Sequence, residues 1–157
     1  MTTVIRASDN WDSSIPSNVV HSSSTTPFAT TSATPVDVPD FSVTITPSSV
    51  NSKILIFVSF RYGNSASGAN RSLLYRNQTQ IDIGGINNLS NIRAAMNNAQ
   101  GFGQSSFSYL DSPSSTSALT YKLQVSRNGG TLQINNRNDG DSGSNHIGSI
   151  TVMEIAG

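Results

Sequence analysis

The run Lys53-Ile54-Leu55-Ile56-Phe57-Val58-Ser59-Phe60 is the longest apolar stretch in a chain otherwise dominated by Ser, Thr, Asn and Gly. Apolar side chains fill its even positions (Ile54, Ile56, Val58, Phe60) and also its odd ones (Leu55, Phe57). A strand with one face in water alternates, so a strand apolar on both sides is expected to be covered on both along much of its length. A helix is the competing reading. The run is short and rich in β-branched residues, and it is flanked by Pro47-Ser48-Ser49 and Gly63-Asn64, so it reads as the central strand of an all-β core.

The chain around it follows strand logic. Val36 and Val38 alternate, Pro39-Asp40 predicts a turn, and Phe41, Val43 and Ile45 alternate against Ser42, Thr44 and Thr46. Residues 71–76 and 78–83 read as two short strands joined at Asn77, and Gly84-Gly85 breaks the pattern. Leu89 to Ala99 offers a weak helical turn or two, diluted by Asn91, Asn97 and Asn98. Gln104 to Leu110 alternates and ends at the turn signal Asp111-Ser112-Pro113-Ser114. Leu119, Tyr121, Leu123 and Val125 form the clearest amphipathic strand, and Asn128-Gly129-Gly130 predicts a hairpin into residues 131–135. The last stretch, Ile147 to Ile155, is apolar on both faces and therefore also expected to be central. About eight or nine short strands at this spacing, without helix–strand alternation, predict an antiparallel β-sandwich, jelly-roll-like, over residues 34–157.

Residues 1–33 read as an extended N-terminal arm. Val4-Ile5 and Ile15, Val19-Val20 are small apolar clusters set among polar residues, and Ser22-Ser23-Ser24-Thr25-Thr26-Pro27 follows them. Such a segment buries too little apolar surface to offset its own ordering entropy. It is expected to lie on a neighbouring subunit or another protein, with Val4, Ile5, Trp11 and Ile15 making the contact. Trp11 is the only tryptophan, and in a polar arm it fits an interface anchor better than an exposed side chain.

Composition removes several function classes. The formal net charge is zero and 11% of residues are charged, so no basic stripe is available for phosphates and nucleic acid is not an expected partner. Without cysteine there are no disulfides or thiolate metal sites. No apolar run approaches the roughly 20 residues of a membrane helix. The N-terminus lacks the basic-then-apolar pattern of a secretion signal, so synthesis in the cytoplasm is expected.

Three stretches together resemble a known group. They are Thr34-Pro35-Val36-Asp37-Val38-Pro39-Asp40-Phe41-Ser42-Val43-Thr44-Ile45-Thr46-Pro47 with Ser52-Lys53-Ile54-Leu55-Ile56; Phe107-Ser108-Tyr109-Leu110-Asp111 with Leu119-Thr120-Tyr121-Lys122-Leu123-Gln124-Val125; and the terminal Gly148-Ser149-Ile150-Thr151-Val152-Met153-Glu154-Ile155-Ala156. The pattern is similar to the small β-sandwich virion surface proteins of tailed phages, many of them cyanophages: capsid decoration or cement proteins, head fibres and tail-fibre tip domains. The resemblance covers residues 30–157 and implies a homotrimer in the virion, bound to the major capsid protein or to tail or fibre proteins, with no catalytic residues and no cofactor. The chain departs from fibre proteins in lacking a shaft repeat, which favours a capsid decoration protein over a receptor-binding fibre tip.

Reactive chemistry finds little footing. His21 and His146 are the only histidines, and neither sits in a catalytic motif; no Gly-x-Ser-x-Gly elbow is present. Asp139-Gly140-Asp141-Ser142-Gly143 offers oxygen ligands for a hard cation, but Asp-Gly is first a turn signal and no bidentate Glu stands at the right distance. Glu154 is the only Glu, so paired glycosidase carboxylates are hard to assemble. A glycan site is the alternative function, with Tyr62, Phe102 and Tyr109 near strand ends as the rings that would stack on sugar faces. Packing in the core or in a subunit interface is the competing account of the same rings.

Overall fold

The computed structural model describes residues 18–66, 69–81, 102–136 and 146–157. These hold ten strands: β1 (Val19–Ser24), β2 (Phe28–Thr30), β3 (Val36–Ile45), β4 (Lys53–Asn64), β5 (Ala69–Arg76), β6 (Thr79–Gln80), β7 (Phe102–Asp111), β8 (Leu119–Asn128), β9 (Leu132–Ile134) and β10 (Gly148–Ile155). The apolar run seeds the first sheet. β4 pairs along one edge with β7, from Ile54 to Gly63. Its other edge takes β10 over Lys53–Ser59 and then β9 over Tyr62–Asn64. Outside these lie β1 on β10 and β2 on β9. The second sheet runs β3-β8-β5-β6, and every pairing in both sheets is antiparallel.

The order β1-β10-β4-β7 facing β3-β8-β5-β6, with six of the nine consecutive pairs of described strands in opposite sheets, is an antiparallel β-sandwich of jelly-roll topology. The inward sides of the strands make its core: Ile54, Ile56, Val58 and Phe60 from β4, Ile150 and Val152 from β10, and Tyr121, Leu123 and Val125 from β8 are all buried. Phe41 and Phe60 meet edge to face across the sheets with centroids 6.2 Å apart, a favourable arrangement of the ring quadrupoles.

Buried polar groups join the layers. Asp111 on β7 accepts the Tyr121 hydroxyl of the opposite sheet at 2.7 Å and two bonds from Arg76 Nη1 at 3.0 and 2.8 Å. Arg127 is the largest fully buried side chain; it donates to Asn70 Oδ1 at 2.5 Å and to the Ala66 carbonyl, tying β8 to β5 and the loop before it. Desolvation holds the phenol of Tyr121 far above its ordinary value of 10.0, and the Asp111 carboxylate that accepts its proton adds to the shift. The folded state therefore keeps a proton that the unfolded state releases above about pH 10, so stability is unaffected below that pH and falls as pH rises beyond it. Urea titrations at stepped alkaline pH should show this fall, and Tyr121→Phe should flatten it; burial also raises the Tyr62 phenol, so a residual slope is expected.

The fold departs from several sequence expectations. Residues 19–30, placed on the arm side of a boundary at residue 33, form β1 and β2 and belong to the first sheet, because their alternating side chains complete the β10 and β9 edges. Asn128-Gly129-Gly130 does not close a hairpin. Gly129 and Gly130 take positive φ (90° and 72°) and carry the chain to the other sheet, where β9 pairs with β4 and β2. Pro39-Asp40 is a bulge within β3, with Asp40 at φ 65° and the register shifting between Asp37 and Ser42. The helical turns expected at Leu89–Ala99 lie outside the described residues.

Gly148, at the start of β10, marks a close approach. A Cβ there would run into the Phe41 ring and stand 2.6 Å from Asn135 Oδ1. Gly148→Ala is expected to cost about 1–3 kcal/mol through overpacking, read as a lower urea midpoint at unchanged m-value.

Candidate interaction face

The side chains that β4 and its neighbours turn away from the core form a regular grid. The register places Val19, Met153, Leu55 and Leu110 in one row across β1, β10, β4 and β7. His21, Thr151, Phe57 and Ser108 make the second row, and Ser23, Ser149, Ser59 and Ser106 the third. The first row is entirely aliphatic, the second centres on a phenylalanine, and the third is entirely serine. No carboxylate, lysine or arginine occurs in any of the three. Lys53 and Arg61 mark the two ends of the outward side of β4.

This face is open. Val19 is 51% exposed, Leu110 46% and Phe57 44%. A groove of about 390 Å³ lies over the second and third rows, lined by Phe57, Ser59, Ser106, Ser108 and Ser149 among others. His21 Nδ1 and Thr151 Oγ1 lie 2.8 Å apart at its border. Strands β4 and β10 are thus internal to their sheet, as their sequence implied, but the expected two-sided cover is absent among the described residues. The odd-numbered side of β4 meets solvent.

The outward side of the other sheet carries a different chemistry. Asp37 accepts from Lys122 at 3.0 Å and from Gln124 at 2.7 Å, and the hydroxyls of Thr44 and Thr120 are 2.9 Å apart. Burial pushes the Asp37 carboxyl up, but the bonds from Gln124 and Lys122 and the charge of Lys122 outweigh it and hold the pKa below its ordinary value. These are side chains that satisfy one another in water.

The residues singled out from sequence fall elsewhere. Val4, Ile5, Trp11 and Ile15 lie outside the described residues. Tyr62 points inward and is buried, its ring lying where a Cβ on Gly103 would go, so it presents no face to a sugar. Tyr109 also points inward and is half-buried against the core. Phe102 pairs with Gly63 through its backbone, and its side chain is outside the described set. Tyr62 and Tyr109 therefore do not form a surface pair, because strand alternation sends both to the core side. His146 sits against Arg61, with Nδ1 3.3 Å from Nη1. Among the described residues no three His, Cys, Asp or Glu side chains converge on a metal position, and Asp139 and Asp141 lie outside them. Sequence reasoning passed over Phe57, Leu110 and Met153 as surface residues. The signal for Phe57 and Met153 is the two-sided apolarity of residues 53–60 and 147–155, which implies cover on both sides; Leu110 falls on the serine side of the alternation over residues 104–110.

No protein-family model matches the chain, and neither does any curated protein. Among solved structures, it is similar to the infectious bursal disease virus VP2 subviral particle, at 14% identity and a TM-score of 0.45. It is also similar to the structure of the infectious bursal disease virus Gx strain, at 15% identity and a TM-score of 0.42. Each alignment covers 99% of this chain and 43% of the other, so the chain spans less than half the length of these neighbours.

Proposed function

We propose that the protein is a non-enzymatic virion structural protein, a decoration or cement protein that stands on a capsid exterior as a homotrimer against the major capsid protein. The observation that carries this reading is the outward face of the β4 sheet: four strands wide, uncharged, with an aliphatic row and an open phenylalanine, on a molecule whose other sheet carries mutually bonded polar groups. Charge depletion with aromatic and Met side chains marks the core of interfaces rather than free surface. The resemblance of the three quoted stretches to phage virion surface proteins points the same way.

The mechanism is adhesion. Each copy contributes modest apolar and backbone contacts, to neighbouring copies as well as to the capsid, through this face and through the arm residues Val4, Ile5, Trp11 and Ile15, and symmetry repeats them over the particle, so that weak contacts sum to large stabilisation. The protein is made in the host cytoplasm and resides in the virion. Quantitative mass spectrometry of purified particles against the major capsid protein tests this. On the order of hundreds of copies per particle is the expected result for a subunit that follows capsid symmetry. A dozen or so would place the chain at a vertex or tail and overturn the decoration role.

A receptor-binding module for a host surface glycan is the second reading, favoured by the serine-lined groove beside the exposed Phe57 ring. It predicts low copy number and binding on a glycan array that Phe57→Ala abolishes.

A further inference from the structure

We infer that the outward face of the β4 sheet is the seat for residues 1–17 of a second copy of this chain. This deepens the adhesive reading and rests on it for the arm's role as a contact element. Three observations select that occupant.

The first is size. Four strands about 4.8 Å apart, crossed by three outward rows, make a patch on the order of 300 Å². Two globular surfaces that associate stably need roughly 800 Å² each. The face is too small for a second sandwich to dock on it alone, whereas an extended stretch of about six residues, at about 3.3 Å per residue, crosses it completely.

The second is the path of the chain. The Asn18 carbonyl accepts the Glu154 amide at 2.8 Å, so β1 keeps its ladder back to the first described residue. β1 runs from the aliphatic row at Val19 toward the serine row at Ser23. Residues 1–17 are attached at the aliphatic end of β1, so to cover the second and third rows of its own face the segment would have to double back along β1, which a neighbour's segment need not do.

The third is chemistry. Residues 1–17 supply Val4, Ile5, Trp11 and Ile15 among polar side chains that include Arg6, Asp9 and Asp12; on an extended stretch Trp11, Ser13 and Ile15 share one side and Asp12 falls on the other. Trp11 and Ile15 are four residues apart, about 13 Å when extended, close to the roughly 14 Å from β1 to β7. Their apolar side chains suit the aliphatic row and Phe57, and the intervening hydroxyls suit the serines. Each copy then donates one arm and accepts one, a head-to-tail contact that closes into a ring.

The natural absence of cysteine permits a direct test on the full chain. Ser13→Cys is placed beside Trp11, and Ser108→Cys beside Phe57 in the second row. Chains carrying one change each are mixed, refolded together and oxidised. The expected result is a disulfide-linked dimer, at least about tenfold more abundant than from either variant alone, because the seat raises the effective concentration of the pair. Adding Phe57→Asp to the Ser108→Cys chain should cut the yield about tenfold, as a charge placed in an apolar seat would. Leu110→Asp, at another open position, should do the same and guards against misfolding of the first variant. The inference is overturned if the mixed dimer does not form, if a Ser13→Cys/Ser108→Cys chain closes only on itself, or if Ser108→Cys links efficiently to its own kind. A failed cross-link at high copy number would remove this seat and leave the decoration role standing. A strong cross-link at low copy number would do the reverse.

Discussion

Asp111→Ala is expected to lower the unfolding free energy by about 1–3 kcal/mol, the cost of leaving a buried hydrogen-bonding group without its partner. The carboxylate on β7 bonds across the sandwich to Tyr121 and Arg76, which are paired partners on the neighbouring strands β8 and β5 of the other sheet. Its side chain is 8% exposed and Tyr121 is fully buried, so truncation leaves a hydroxyl donor in the core with nothing to bond. Arg76, 29% exposed, can turn to water, which places most of the loss on the tyrosine. Tyr121→Phe removes that orphan donor. In the Asp111→Ala background it should therefore cost less than in the wild-type chain, a coupling that a double-mutant cycle in urea measures directly. Equal costs in both backgrounds would show that the two groups act independently.

Glu154→Ala carries the second large effect, about 1.5–3 kcal/mol, the contribution of hydrogen bonds to a charged acceptor. Glu154 is the only Glu in the chain and is 1% exposed on β10. Its Oε1 accepts the Ser48 amide at 2.7 Å, the Ser48 hydroxyl at 2.6 Å and the Ser52 hydroxyl at 2.7 Å. This fixes the turn that leads from β3 into β4, and Ser52 at its end is itself buried. Because these bonds converge on one oxygen, Glu154→Gln retains an acceptor there and should cost only about 0.5–1.5 kcal/mol. Chemical denaturation of the two variants separates a need for that acceptor from a need for the charge. Gln as damaging as Ala would mean that charge, rather than the acceptor oxygen, holds the turn.

Much of the fold was legible because strand periodicity is local. Leu119, Tyr121, Leu123 and Val125 alternate, and the structure buries all four. The same rule misled at Asn128-Gly129-Gly130, where a two-glycine turn reads as a hairpin although the partner of the next strand is decided by long-range pairing with β4. It also misled at residues 19–24, where VVHSSS looks too polar to be held, because the edge of β10 supplies ladder bonds that composition does not announce. The candidate face was half legible. Apolarity on both sides of β4 and β10 was visible in sequence, but sequence cannot say whether the second cover comes from the same chain or from another.

Oxidative footprinting of the assembled protein tests the central claim most directly, because it asks whether the outward face of the β4 sheet is covered. Phe57, Leu110 and Met153 lie on that face, while Val50, 55% exposed in the turn before β4, provides a reference outside it. The account predicts that hydroxyl radicals modify Val50 as a free side chain and leave Phe57, Leu110 and Met153 largely protected. Modification of Phe57 and Leu110 in proportion to their 44% and 46% exposure would mean that the face stays bare in the assembly, and would contradict the account.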